Sequence, residues 1–238
     1  MLFRSPHHSA SDVALIGGGK QAKLGEITLA HNGVLFLDEF PEFHRNVIEA
    51  LRQPLEERTI TVSRAHGSFT YPARFILIAT KNPCPCGWYG SNQRECMCSM
   101  QNVLRYQKKV SGPIADRIDV HITVPAVTYE KLSDEEPRDP ESEKVRAQVN
   151  AARRTQAERF EKDALLLNSE MSPRLIKKHC PLDSASHSLL KNALEKLKLS
   201  ARAYHKIIKI ARTIADLAEE GNILPSHIAE AIQYQPRD

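Results

Sequence analysis

The chain has 238 residues, of which 41% are hydrophobic and 26% are charged, and its formal net charge is +4. This composition is typical of a globular protein with one large or two modest domains, and so mild a charge permits an anionic partner without requiring one. No apolar stretch is long enough to cross a membrane, and the amino-terminal residues lack the apolar core of a signal peptide. We therefore expect a cytoplasmic protein with no membrane partner.

Residues 1–125 alternate turn-rich loops with short β-rich runs, which predicts an α/β domain with a mostly parallel sheet. In chain order the predicted elements are a buried strand at 33–39, an amphipathic helix at 44–58, a β-hairpin at 59–71, a second buried strand at 74–82, a helix at 101–110 and a third strand at 119–125.

Residues 126–140 are rich in proline and acidic side chains, which is typical of a linker. The rest of the chain, residues 141–238, has helical periodicity and predicts a small all-α domain. Its helices are expected at about 141–163, 172–179, 184–197, 201–219 and 226–234.

The stretch "GVLFLDEF" at 33–40 runs from four apolar residues straight into Asp38 and Glu39. Ligands of open α/β sheets bind at the carboxyl ends of the strands, so this pair stands where chemistry is expected. In a nucleotide triphosphatase the aspartate would hold magnesium through its water shell, and the glutamate would polarise the attacking water. The simpler alternative is a buried strand that ends in a surface acidic pair.

Three further polar residues follow in an order that suits the same site. Asn82 ends the second buried strand, where its amide could bind a γ-phosphate oxygen and the attacking water. Arg117 lies at an exposed corner and could complete a neighbouring subunit's site, although a salt bridge to Asp116 or Asp119 is the structural alternative. Arg202 opens the best amphipathic helix of the second domain, and it could reach a nucleotide.

Four of the five cysteines fall in the stretch "CPCGWYGSNQRECMC", namely Cys84, Cys86, Cys96 and Cys98. In a reducing compartment such a cluster suggests a metal rather than disulfides, and four thiolates suit a closed, structural zinc site. The spacing of one residue within each pair is less usual than two. Reduced cysteines in a loop are the alternative.

Several stretches together resemble the magnesium-chelatase-like family of AAA+ ATPases. They are "FRSPHHSASDVALIGGG", "LGEITLAHNGVLFLDEFPEF", "ATKNPCPCG", "SGPIADRIDVH" and "SARAYHKIIKIARTIADL". The resemblance implies a P-loop-type α/β core followed by an all-α lid. By that match, Asp38 and Glu39 correspond to the Walker B pair, Asn82 to sensor 1, Arg117 to the arginine finger and Arg202 to sensor 2.

The resemblance also implies ATP and Mg²⁺ as ligands and a ring of identical subunits, usually a hexamer. Competence members of the family act on DNA as helicases, so single-stranded or branched DNA is the expected partner. Two basic loops could contact it inside a ring, one with Lys20 and Lys23 and one with Arg64 and His66, although both could be ordinary surface loops.

One departure from the family pattern is plain. The sequence contains no G-x-x-x-x-G-K-[ST], because Lys20 in "IGGGKQ" is followed by Gln21 and has no glycine at the required earlier position. We therefore expect the carboxyl-terminal part of a longer ATPase, inactive by itself. A magnesium-chelatase-type or protein-remodelling subunit and a non-hydrolysing, zinc-bearing interaction module are the alternative functions.

Overall fold

The computed structural model describes residues 2–18, 23–64, 67–125, 141–163 and 165–236. The chain divides into two compact units, Met1–Ile118 and Asp119–Asp238, and each is described by itself. The linker predicted at 126–140 lies outside the described residues. Among the residues that are described, no helix is both long and apolar enough to cross a membrane.

The strands of the first unit are short. They are β1 (Phe3–Arg4), β2 (Gly17–Gly18), β3 (Lys23–Leu24), β4 (Val34–Leu37), β5 (Thr59–Arg64), β6 (Gly67–Pro72) and β7 (Ile76–Ala79). The first, fourth and seventh form a parallel sheet in the order β1-β4-β7. β2 pairs with β3, and β5 pairs with β6 in the predicted hairpin, both antiparallel. The α/β prediction with a parallel sheet is confirmed.

The helices of the first unit lie between and after these strands. They are α1 (Asp12–Ile16), α2 (Glu26–Leu29), α3 (Arg45–Ala50), α4 (Arg52–Glu57), α5 (Met100–Gln107) and α6 (Gly112–Ala115). The single helix predicted at 44–58 is therefore two helices, which join at Leu51. Pro54 has no N–H to donate to the Ala50 carbonyl, so the hydrogen-bond ladder is interrupted between them.

The central strand β4 is largely buried on both faces, and another backbone segment closely approaches its start. Leu35 and Leu37 are almost fully buried in the core of the first unit. Gly33, just before the strand, allows this approach, because a Cβ there would lie 2.0 Å from the Leu2 carbonyl oxygen. That same oxygen accepts a hydrogen bond of 2.8 Å from the Val34 N–H. The absence of a side chain at Gly33 thus lets β1 join the sheet.

The third strand predicted at 119–125 is wrong. The structure has no strand there, and the side chains of Val120, Ile122 and Val124 are 46%, 69% and 76% exposed. Within the second unit, His121 instead donates its N–H to the Tyr234 carbonyl over 2.9 Å. The alternating pattern was misleading because it does not identify a pairing partner, and the sheet takes β1 as its third strand.

The second unit is helical, as predicted. Its α-helices are α7 (Glu141–Arg159), α8 (Pro173–His179), α9 (Ser184–Lys196), α10 (Ala201–Leu217) and α11 (Pro225–Gln233). Ile207 and Ala211 of α10 are buried in its core, as their helical spacing predicts, and Ile208 is buried with them. Side-chain oxygens of Asp183 and Ser200 accept backbone N–H groups at the starts of α9 and α10.

A buried polar network centres on Asp216 of α10, whose side chain is fully buried. Both guanidinium nitrogens Nη1 and Nη2 of Arg159 bind its carboxylate, and the Nη1 distance is 2.8 Å. Arg212 Nε donates to the same carboxylate over 3.0 Å, and Asn168 Nδ2 donates over 2.8 Å. The carboxylate therefore provides a shared counter-charge for the buried Arg212 and for Arg159, whose side chain is 13% exposed.

Candidate nucleotide site and metal centre

The acidic pair follows β4 and lies beside the end of β7. Leu37 pairs with Ala79, so Asp38 lies opposite Thr80. The Thr80 hydroxyl donates to Asp38 Oδ1 over 2.5 Å and accepts the Glu39 N–H over 3.0 Å. The Thr80 carbonyl accepts the Phe40 N–H over 2.8 Å. Thr80 thus holds the backbone and one carboxylate of the pair, because β4 and β7 are neighbours in the sheet.

The backbone of Glu39 adopts a left-handed conformation, with φ 53° and ψ 46°. A glutamate seldom adopts this conformation, and such conformations persist where the surroundings hold them. His8 Nε2 lies 3.4 Å from Glu39 Oε2, and the Glu39 side chain is half exposed. The carboxylate therefore faces solvent at the sheet edge, with an imidazole beside it.

Asn82 lies in the loop that follows β7, and its side chain is exposed. Its backbone N–H donates to the hydroxyl oxygen of Tyr106, a residue of α5 that is only 4% exposed. Burial raises the pKa of Tyr106, and the carboxylates of Glu42 and Glu39 add to the rise. The loop bearing Asn82 is thus attached to a buried side chain at the same edge of the sheet as the acidic pair.

Arg117 binds within its own chain. Its Nε and Nη2 both contact Glu56 Oε2, at 3.0 Å for Nε, and Nη1 donates to the Pro113 carbonyl over 2.6 Å. The side chain is only 12% exposed, whereas the sequence suggests an exposed corner. The expected structural partners, Asp116 and Asp119, are replaced by Glu56, which lies 61 positions earlier and so could not be found from local spacing.

The other predicted site residues are dispersed. Arg202 lies in the first turn of α10, in the second unit, and is exposed. Lys23 lies in β3 and is exposed, and Arg64 ends β5. Lys20 and His66 lie outside the described residues. Within the described part of the chain, the structure therefore brings Asp38 and Glu39 close to the Asn82 loop.

The four clustered cysteines converge on one point. The ligand sulfurs of Cys84, Cys86, Cys96 and Cys98 all lie within 4.8 Å of one another. The Sγ–Sγ distances are 3.3 Å for Cys84–Cys86, 3.7 Å for Cys84–Cys96 and 3.6 Å for Cys86–Cys96. Zinc bonds of ~2.3 Å in a tetrahedron would place sulfurs about 3.8 Å apart, so the donor set fits zinc.

The thiols of this cluster differ in proton affinity. The Trp88 backbone N–H lowers the pKa of Cys86 to about 6. The Cys98 backbone N–H favours the thiolate of Cys96, but burial and the hydrogen bonds to Cys86 and Cys84 outweigh it and raise the pKa of Cys96 to about 12. The Tyr89 N–H also donates to Cys84 Sγ, over 3.3 Å. The sulfurs therefore titrate as a set, not independently.

Sequence reasoning did not assign a role to Thr80, His8, Tyr106 or Glu56. Thr80 lies in the same polar strand end as Asn82, and the strand register alone would have placed it opposite Asp38. For the other three, no sequence spacing indicates the contact, because each one joins segments that only the tertiary fold brings together.

A parallel sheet with an acidic pair at its carboxyl edge, followed by a helical unit, is the arrangement of the AAA+ class. The family described as magnesium chelatase, subunit ChlI, matches residues 1–132, and its ChlI C-terminal family matches residues 139–235. The chain belongs to the magnesium chelatase family of AAA+ proteins.

Known relatives match nearly all of this chain. The competence protein ComM of Haemophilus influenzae is 47% identical over 234 residues, which are 98% of this chain and 45% of ComM. YifB of Escherichia coli is 43% identical over 99% of this chain and 46% of YifB. Rv2897c of Mycobacterium tuberculosis is 36% identical over 98% of this chain and 46% of Rv2897c. The chain thus spans about half the length of these relatives.

Proposed function

We propose that the chain is part of a ring-forming, ATP-driven motor that acts on DNA in the cytoplasm, as a helicase or branch-migration enzyme of the competence type. The observation that carries the proposal is the hydrogen-bonded group of Asp38, Thr80 and Glu39 beside the Asn82 loop. The similarity to ComM, a competence protein, supports DNA as the substrate on which the motor acts. Residues 141–238 would form the lid, and the ring would be a hexamer.

Each site residue has one role in this proposal. Asp38 would hold Mg²⁺ through its water shell, and the ion would neutralise phosphate charge. Glu39 would accept the proton of the attacking water, and Asn82 would orient that water against the γ-phosphate. Arg117 would act on the neighbouring subunit's nucleotide, and Arg202 would contact the nucleotide from the lid.

Phosphate binding requires a loop that the sequence does not contain. Without the backbone amides and lysine of G-x-x-x-x-G-K-[ST], the β- and γ-phosphates lose their main electrostatic anchors. We therefore assign that loop to another part of an intact protein, and we expect no appreciable hydrolysis by the 238 residues alone.

The test is Glu39→Gln in a protein that carries such a loop ahead of this chain. Because this change removes the proton acceptor and keeps the shape, hydrolysis should fall by about 10²–10⁴-fold while ATP binding is retained. The measurements are steady-state phosphate release with and without single-stranded DNA, and nucleotide affinity. Glu49→Gln is the matched control, because Glu49 pairs only with Arg52 on the surface among the contacts described.

The outcomes separate the candidate functions. A DNA motor should be stimulated by single-stranded DNA, and its DNA affinity should fall steeply as salt concentration rises. A chelatase-type or remodelling subunit should hydrolyse ATP without that response. If the protein with the phosphate-binding loop restored does not hydrolyse ATP, the result would favour a non-hydrolysing interaction module and contradict the proposal.

We also propose that the four clustered cysteines hold one structural zinc ion. Four protein sulfurs complete a tetrahedron and leave no open position, so the metal would stabilise the fold and would not take part in the reaction. The same convergence of sulfurs would follow from chance packing of reduced thiols, and metal content distinguishes the two.

Protein purified without chelators should contain one zinc ion per chain, and Cys84→Ser should lose it, because three thiolates and a hydroxyl make a weaker zinc site. Inductively coupled plasma mass spectrometry measures the ratio. Cys180→Ser is the matched control, because Cys180 is buried in the second unit with its Sγ 3.9 Å from Met171 Sδ. Wild-type protein without metal would rule the site out.

A further inference from the structure

The loop that carries Asn82 is held by two consecutive residues of α5. Tyr106 accepts the Asn82 N–H at its hydroxyl oxygen, as described above. Gln107 Nε2 donates to the carbonyl of the next loop residue, Pro83, over 3.2 Å. The last turn of one helix therefore fixes two adjacent peptide groups that follow β7.

The cysteine cluster joins the same two segments at their other ends. Cys84 lies two residues after Asn82, and α5 begins two residues after Cys98. Ser99 accepts the Asn102 N–H at its hydroxyl over 3.3 Å and caps the start of that helix. The chain from Asn82 to Gln107 is thus a loop closed twice, once by the sulfurs and once by the contacts of Tyr106 and Gln107.

We propose that the metal-bound cysteine cluster is a brace for Asn82, and that Tyr106 and Gln107 are the positioning residues through which it acts. This inference rests on the proposed zinc centre and on the proposed role of Asn82 in the nucleotide site. A metal at the sulfurs fixes the start of α5 relative to Cys84. The helix then carries Tyr106 and Gln107 to the backbone of Asn82 and Pro83.

The physical need for such a brace follows from the exposure of Asn82. Its side chain faces solvent on a loop, and an amide must be held within about 0.5 Å to orient a water against a phosphate. Tyr106, by contrast, is buried. The helix α5, fixed at its start by the metal centre and buried at Tyr106, would therefore restrict the movement of Asn82.

The test uses the 238-residue chain itself, with amide hydrogen exchange read by mass spectrometry. Removing zinc with a chelator should speed exchange in peptides that cover residues 80–84 by about tenfold, because the Asn82 amide loses its acceptor when α5 is released. Peptides from β4 should not change. Tyr106→Phe should speed exchange of the same peptides about as much while one zinc ion per chain remains bound.

Tyr89→Phe is the matched control, because it makes the same change in the cysteine loop at a side chain that is 40% exposed. It should leave the exchange of residues 80–84 as in the wild type. Unchanged exchange after chelation, or in Tyr106→Phe with zinc retained, would overturn the brace even if the zinc site stands. A chain that binds no zinc would overturn it as well.

The outcome is independent of the ATPase proposal. If residues 80–84 respond as expected but a protein with the phosphate loop restored shows no hydrolysis, the brace is supported and the proposed function fails. If that protein does hydrolyse ATP, Tyr106→Phe should lower kcat by about tenfold at unchanged ATP affinity, because the contact orients Asn82 without touching the nucleotide. A lowered ATP affinity at normal kcat would contradict positioning.

Discussion

Replacing Asp216 by alanine is expected to lower the free energy of unfolding of the second unit by about 3–5 kcal/mol. The carboxylate is fully buried and binds two guanidinium groups, those of Arg159 and Arg212, as well as the Asn168 amide. Removing it leaves the buried Arg212 and the largely buried Arg159 without their shared counter-charge, and desolvated charges without a partner are among the costliest defects in a protein interior. The effect should be far larger than any surface substitution.

Urea unfolding followed by circular dichroism measures the change. Glu195→Ala is the matched control, because Glu195 forms an exposed pair with Lys191 at 4.0 Å on α9 and should change stability by less than about 1 kcal/mol. A loss below about 1 kcal/mol in Asp216→Ala would mean that water or a rearranged side chain satisfies the arginines. The network would then not be the central stabilising feature of the unit.

In an intact, ring-forming protein, Arg117→Ala is expected to reduce ATP hydrolysis by about 10³-fold or more while nucleotide binding changes little. The reason is that a cation from one subunit would stabilise the charge that develops on the γ-phosphate bound by its neighbour. The structure shows the guanidinium held by Glu56 and the Pro113 carbonyl in its own chain. To act on a neighbouring subunit, Arg117 would therefore have to release Glu56 and bind the γ-phosphate instead.

Two comparisons separate this role from a structural one. Mixing Arg117→Ala with Glu39→Ala subunits should partly restore hydrolysis, because each variant supplies what the other lacks at a shared interface. Glu56→Gln removes the charge that retains the arginine, so it should preserve hydrolysis if Arg117 acts on the neighbour. Absence of rescue, with equal losses of melting temperature in Arg117→Ala and Glu56→Gln, would show that the pair serves stability alone.

The parts of the fold that follow from local patterns could be predicted. The run 34–37 is apolar because most of β4 is buried, and polar residues follow it as expected. The second run does form a strand beside it, but the prediction that this strand is buried is wrong, because Ile76 and Ile78 are 50% and 45% exposed and only Leu77 packs against the core. Helical spacing located α10 and the other helices of the second unit to within a few residues. The hairpin was equally visible, because two arms of β-branched or aromatic residues flank a short turn sequence.

The third strand could not be predicted, for two physical reasons. β1 has only two residues, too few to show any periodicity, and it joins the sheet through backbone contacts at Gly33. The segment 119–125 has the alternating pattern of a strand, yet its apolar side chains face solvent. An alternating pattern indicates that a segment could form a strand, but it does not identify the strand with which the segment would pair.

The candidate site was predictable in its charged residues and not in the groups that hold them. Asp38 and Glu39 stand out because carboxylates rarely follow so apolar a run. Thr80 and Tyr106 are ordinary residue types, and their contacts depend on register and on long-range packing. The Arg117–Glu56 pair is likewise a product of the folded chain, so the sequence alone suggested nearer acids.

The close approach at Gly33 has a consequence for how this site can diverge among relatives. His8 lies in the turn that follows β1 and Glu39 follows the end of β4, and the two strands are joined through main-chain atoms where no side chain intervenes. Because this junction is made by main-chain atoms, changes of side chain in the core should leave the position of His8 relative to Glu39 largely unchanged. Gly33 itself cannot be replaced by a larger residue at this approach, since even a single methyl group there would push the two strands apart.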